Sequence, residues 1–142
     1  MKPKLQEESP VRSVSPSMEE LQLIRDSVLL PMLLTIVDRN AREVEHSGYA
    51  IRRVYVAASQ VLMNRIHTDL ASTRKELRQR RIKVFEDEQI DGVLYYRFVC
   101  RGYEDRFGLM RDLARREISS RIGRYIREIF DPPGRPGQGT SD

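Results

Sequence analysis

The sequence predicts an α+β protein in the order α-α-β-β-α, and three observations carry that expectation. A run of extended residues at 82–103 is folded back on itself by Asp91-Gly92, the dipeptide that suits a tight I′ turn. Two long segments with apolar residues at three- and four-residue spacing precede the run, and a third follows it. Proline-containing polar segments bound the whole at 1–16 and 131–142, which leaves a single domain at 17–130. The chain has 142 residues, 39% of them hydrophobic, enough for one modest core; with 32% charged, the helices need a solvated face.

Taken in order, residues 1–16 contain Pro3, Pro10 and Pro16 with no periodicity, and a disordered leader is expected. Ser17-Met18-Glu19-Glu20 is a capping-box pattern, so the first helix begins there and runs to about Glu45. Its expected stripe is Leu21, Ile24, Val28, Met32 and Ile36, and Pro31 is expected to kink or split it. His46-Ser47-Gly48 forms the turn, with Gly48 suited to the left-handed position after a helix. The second helix spans about 49–80, with Ile51, Val54, Tyr55, Ala58, Val61, Leu62 and Ile66 on one face. Its far end, crowded with Arg74, Lys75, Arg78, Arg80 and Arg81, is expected to project past the core. A short connection makes these two helices antiparallel neighbours.

In the hairpin, a two-residue turn at Asp91-Gly92 sets Ile90 opposite Val93, Glu88 opposite Tyr95, Glu86 opposite Arg97 and Val84 opposite Val99. Gly102 ends the second strand. A third helix is expected over about 103–130, with Glu104 and Asp105 at its N-terminus and a stripe of Phe107, Met110, Ala114, Ile118, Ile122, Tyr125 and Ile129. Pro132 and Pro133 stop it, and 131–142 is expected to be a disordered tail.

The net charge is +4, and all basic residues except Lys2, Lys4, Lys75 and Lys83 are arginine. Arginine forks onto both carboxylates and phosphates, so this bias suits either ion pairs or nucleic acid. The single cysteine, Cys100, allows no intrachain disulfide and fits a reducing cytosol, so a cytoplasmic protein is expected. No apolar signal region opens the chain. The apolar run Val28 to Val37, bracketed by Arg25, Asp26, Asp38 and Arg39, is too short to cross a bilayer, and no membrane association is expected.

No residue pattern supports catalysis, a metal or a cofactor. His46 and His67 lack partners at metal-ligand spacing and read as surface histidines. Cys100 lies mid-strand and reads as a buried structural thiol. Adjacent side chains on a strand face opposite ways, so of Glu86, Asp87 and Glu88 only the first and last share a face, and Glu86 is expected to face Arg97. A non-enzymatic protein is expected. Two other constellations stand out. Arg74, Lys75, Arg78, Arg80, Arg81, Arg97 and Arg101 form a candidate nucleic-acid patch, opposed by the hairpin's own carboxylates. Arg111 and Arg121 fall within the apolar stripe of the third helix, and Arg65 and Asp69 within that of the second, four residues apart and able to pair. Charges in such a stripe must be paired inside the chain, paired across a partner interface, or snorkelling at its edge.

Leu30-Pro31-Met32-Leu33-Leu34 followed by Asp38-Arg39, together with Tyr96-Arg97-Phe98-Val99-Cys100-Arg101-Gly102-Tyr103-Glu104, resembles an uncharacterised family of short cytosolic proteins from endospore-forming Bacilli and their relatives. The likeness covers about 18–130. It implies a bacterial, cytosolic, non-enzymatic small domain and assigns no site residue.

The hairpin is expected to be apolar on both faces, with Phe85, Leu94, Tyr96 and Phe98 on one and Val84, Ile90, Val93 and Val99 on the other. Two such faces and two open edges favour a homodimer, with Arg65, Asp69, Arg111 and Arg121 as candidate interface residues. The expected function is a small regulatory or scaffolding module acting by contact with a protein partner that the sequence does not identify. The alternative is an arginine-rich nucleic-acid-binding protein.

Overall fold

The computed structural model describes residues 14–131, so the expectations for 1–13 and 132–142 lie outside the described residues. The elements are α1 (Met18–Glu45), α2 (Arg52–Gln79), β1 (Ile82–Ile90), β2 (Val93–Cys100), β3 (Tyr103–Met110) and α3 (Arg111–Phe130). The fold is α+β, as the sequence predicts, but the order is α-α-β-β-β-α. The chain forms two compact units. One contains the start of α1, the end of α2 and the sheet; the other contains residues 29–69 and α3 from Asp112.

The first unit is built on an antiparallel sheet in the order β1-β2-β3. Asp91 (φ 50°) and Gly92 (φ 77°) make the expected tight turn, and Ile90 faces Val93. A second turn of the same kind follows at Arg101 (φ 51°) and Gly102 (φ 94°), which reverses the chain into β3 where the third helix was expected to start. Residues 103–110 suit a strand better than a helix. Phe107 and Leu109 alternate onto the buried face, and Gly108 weakens any helix through it.

Gly108 also has a packing reason. It lies opposite Tyr95, and a Cβ there would come within 2.9 Å of both the Tyr95 ring and Val93.

A bulge corrects the expected register. Pairing runs Ile82 with Cys100 through Glu86 with Tyr96, then resumes at Gln89 with Leu94, so Asp87 and Glu88 together oppose Tyr95. Arg97 therefore faces Phe85, with its guanidinium 4.7 Å above the ring, and Glu86 points to the opposite face. The expected Glu86–Arg97 pair does not form, because one inserted residue inverts the alternation upstream of it. Val84 and Phe85 accordingly exchange faces. Ile82, Phe98 and Cys100 meet Ile24 and Leu77 in a buried cluster, with Leu23, Val84 and Phe107 packed against it. Phe107 stacks on Tyr96 at 5.5 Å between ring centres.

The capping box forms as expected. The Glu20 amide donates to Ser17 Oγ at 3.1 Å, and the Ser17 amide donates to Glu20 Oε1 at 3.1 Å. α1 continues through Pro31 as one helix. Its buried apolar residues are Ile24, Val28, Leu29, Leu30, Leu33, Val37 and Ala41, whereas Leu21 is exposed. The expected stripe kept a four-residue step, which turns about 40° off the helical period each time and drifts away from the core. Gly48 is not in the left-handed region; the α1 end is closed by Ser47 Oγ donating to the Val44 carbonyl at 2.6 Å.

α2 corrects the expected stripe most sharply. Its buried line is Ser59, Leu62, Ile66, Leu70, Thr73 and Leu77, so the arginine-rich end is anchored in the first unit's core rather than projecting. Ile51, Val54, Tyr55 and Val61, expected in the core, are exposed. Residues with exposed charged neighbours still bury one face, and a stripe of small and polar members (Ser59, Thr73) carries no hydropathy signal.

Candidate functional site

Glu20 is the most deeply buried charged side chain described, 1% exposed at the third position of α1. Arg101, at the β2–β3 turn, grips it with both ends of its fork, 2.9 Å to Oε1 and 3.2 Å to Oε2. The same guanidinium donates to the Arg80 carbonyl at 2.9 Å. Arg80, at the end of α2, reaches Glu20 at 3.5 Å, Glu19 at 3.1 Å and Glu76 at 3.0 Å. Burial pushes the Glu20 carboxyl up, but hydrogen bonds from Arg101 and Ser17 and the charges of Arg101 and Arg80 outweigh it and hold the group below the ordinary carboxylate range. This cluster ties the start of α1 to the end of α2 and the sheet. Its carboxylates are all engaged by arginines, so it acts as a structural clamp within the first unit.

The clamp changes the candidate nucleic-acid patch. Arg80 and Arg101 turn inward, and Arg97 pairs with Glu104 at 2.8 Å while covering Phe85. Arg74, Lys75, Arg78 and Arg81 are exposed. The solvent face of the sheet is similarly self-matched. The bulge delivers consecutive carboxylates to one cation, Asp87 at 3.4 Å and Glu88 at 3.0 Å from Arg106, which also lies 4.4 Å over the Tyr95 ring.

The four candidate interface residues divide. Asp69 accepts a short bond from the Tyr125 hydroxyl, 2.6 Å, linking α2 to α3 in the second unit. Burial and this bond raise the Tyr125 pKa well above its ordinary value. Arg65 pairs with Glu128 at 3.0 Å and lies 6.0 Å over the Tyr125 ring; the expected Arg65–Asp69 pair is replaced by these links to α3. Arg121 is buried and pairs with Glu117 one turn earlier at 3.3 Å. Arg111 is exposed, with its amide donating to the Gly92 carbonyl at 2.9 Å. Three of the four are therefore partnered within the chain.

A further surface feature is apolar. Tyr49, Ile51, Val54, Tyr55 and Val61 are 66%, 68%, 69%, 40% and 46% exposed along the first three turns of α2 and its approach. The sequence held this signal, since these residues share a face, but periodicity alone does not separate a core face from an uncovered one. An open depression of about 450 Å³ on the same unit is lined by Glu45, Arg52, Arg53, Val56 and Ala57. Among the described residues, no group of three or more His, Cys, Asp or Glu side chains is placed to hold a metal, and no helix is long and apolar enough to cross a membrane.

The YhjD protein family model matches residues 15–130. The chain belongs to that family. This agrees with the resemblance carried by the segments around Leu30–Arg39 and Tyr96–Glu104. Among curated proteins, the chain is 29% identical over 113 residues to the uncharacterized protein YhjD of Bacillus subtilis (strain 168), an alignment covering 78% of this chain and 94% of that relative. The family is thus bacterial, and its matched region coincides with the described elements from the α1 cap to the end of α3. No solved structure matches.

Proposed function

We propose that this chain is a small non-enzymatic regulatory or scaffolding module of the bacterial cytoplasm that acts by protein–protein contact. The observation that supports it is the exposed apolar face at the start of α2: four large side chains from Ile51 to Val61 that the described residues leave in water. The single buried cysteine suits the reducing compartment.

The alternative, nucleic-acid binding, keeps only Arg74, Lys75, Arg78 and Arg81 as exposed members of its original cluster, since Arg80, Arg97 and Arg101 are spent on carboxylates. The two classes separate in one experiment on the purified full chain. Protein contact predicts little retention of random DNA or RNA, and a partner complex that Val54→Asp abolishes while salt leaves it intact. Tight nucleic-acid binding that falls steeply with salt and disappears on neutralising Arg74, Lys75 and Arg78 would replace this proposal with the alternative.

A further inference from the structure

We infer that the apolar face at the start of α2 is a self-association surface, on which two copies pair their α2 helices antiparallel about a two-fold axis near Ala57–Ala58. This rests on the protein-contact function proposed above and names the partner as a second copy of the chain.

The face is set by helical geometry. Ile51, Val54, Ala58 and Val61 repeat at three- and four-residue steps, the spacing of a helix–helix seam, with Tyr55 alongside. Val54 and Val61 lie about 80–160° around the helix from the buried Ser59, Leu62 and Ile66, with exposed Ile51 at the edge between the two lines, so the helix has one covered face and one uncovered one. From Val54 to Val61 the seam bears no charge, so two copies meet without opposing like charges. A charged partner surface would find nothing to pair with there.

The seam also reads nearly the same in both directions. Val54 and Val61 flank the Ala57-Ala58 pair at equal distance. An antiparallel crossing at the alanines, where small side chains permit close approach, sets Val54 of each copy against Val61 of the other. Each Ile51 then meets the hydrocarbon stem of the other copy's Arg65. That arginine already has its charge matched by Glu128 at 3.0 Å, so covering its stem does not strand a cation.

Other occupants fit less well. Outside the described residues, the large apolar side chains in the sequence are Met1, Leu5 and Val11, and 132–142 has none, so those segments offer little apolar surface to match the face. A membrane surface favours a basic fringe beside the apolar stripe. Here the open side is edged by one arginine, Arg53, beside Ala57, and otherwise by Gln60 and Asn64, whose amides are hydrogen-bonded to each other at 3.1 Å.

The test uses the full-length chain. Sedimentation equilibrium across the micromolar range is expected to show a reversible dimer. Val54→Asp and Val61→Asp are each expected to weaken it at least about tenfold, because the dimer would bury an unpaired carboxylate. Both positions are exposed, so the variants should keep the native cooperative melt. Ala58→Cys should be captured as a covalent dimer by a short thiol cross-linker, whereas Gln60→Cys, on the side turned away from the seam, should not. Cys100 is fully buried and stays silent. A monomeric mass at every concentration overturns self-association. If Val54→Asp then still abolishes contact with another protein, the proposed function survives without it. A dimer that both aspartate variants leave unchanged overturns the location. Flotation of the native chain with anionic vesicles, lost in Val54→Asp and unaccompanied by dimerisation, assigns the face to lipid instead.

Discussion

At Glu20 two requirements meet in one carboxylate: it closes the capping box of α1, and it neutralises two arginines brought from the end of α2 and the β2–β3 turn. Removing it leaves Arg101 facing a buried, unmatched site, so Glu20→Ala should lower stability by about 3–5 kcal/mol in urea denaturation. The pH dependence follows from its lowered pKa. The stability Glu20 contributes is fully present above the unfolded-state value of about 4.3 and is lost as pH falls through the lower folded-state value. The stability difference between the native chain and Glu20→Gln should therefore be constant near neutrality and shrink below about pH 4; a difference independent of pH would show that folding does not lower the Glu20 pKa. The capping role was legible from Ser17 and Glu20 alone, since it is local. The Arg101 partner was not, because a contact 81 residues away leaves no trace in periodicity. Gly108 is a second residue-scale case. Gly108→Ala should cost about 1–3 kcal/mol by driving a methyl group into the Tyr95 ring and Val93, and only part of that cost should vanish in a Tyr95→Ala background, the Val93 contact remaining.

Among the elements, the hairpin turn at Asp91-Gly92 was readable because that dipeptide states its own geometry. The matching turn at Arg101-Gly102 was hidden by an arginine in a left-handed position, and with it the whole of β3. Replacing Gly92 or Gly102 with valine should each destabilise the fold by about 1 kcal/mol or more, as a β-branched residue resists positive φ. An unchanged melting temperature for Gly102→Val would contradict the β2–β3 turn. The register downstream of Gln89 was legible and the register upstream was not, because nothing in Glu86-Asp87-Glu88 announces a bulge. The bulge has a visible consequence: it gives Arg106 two carboxylates that a regular strand would have sent to opposite faces. For α2 the sequence located the helix and the buried Leu62 and Ile66, but it added Ile51, Val54 and Val61 to their face, since these outrank Ser59 and Thr73 in hydropathy while the fold buries the latter.

For the whole molecule, the matched family region and the described elements both end near residue 130, and the flanking compositions contain few apolar groups to bury. A chain trimmed to 17–130 should keep the cooperative melt of the full chain, monitored by circular dichroism; loss of that melt would mean that one end is docked. The charge distribution was legible in amount but not in allegiance. The arginine bias suited either ion pairs or nucleic acid, and Arg65, Arg80, Arg97 and Arg101 are matched within the fold by Glu128, Glu76, Glu104 and Glu20. The apolar side chains from Ile51 to Val61 at the start of α2 are left exposed among the described residues. Size-exclusion chromatography with light scattering, run on the native chain at low and high salt, tests this most directly. A dimeric mass is expected, free of co-eluting nucleic acid, that persists at high salt and falls to the monomer in Val54→Asp. A monomeric chain that carries nucleic acid at low salt and releases it at high salt would contradict it.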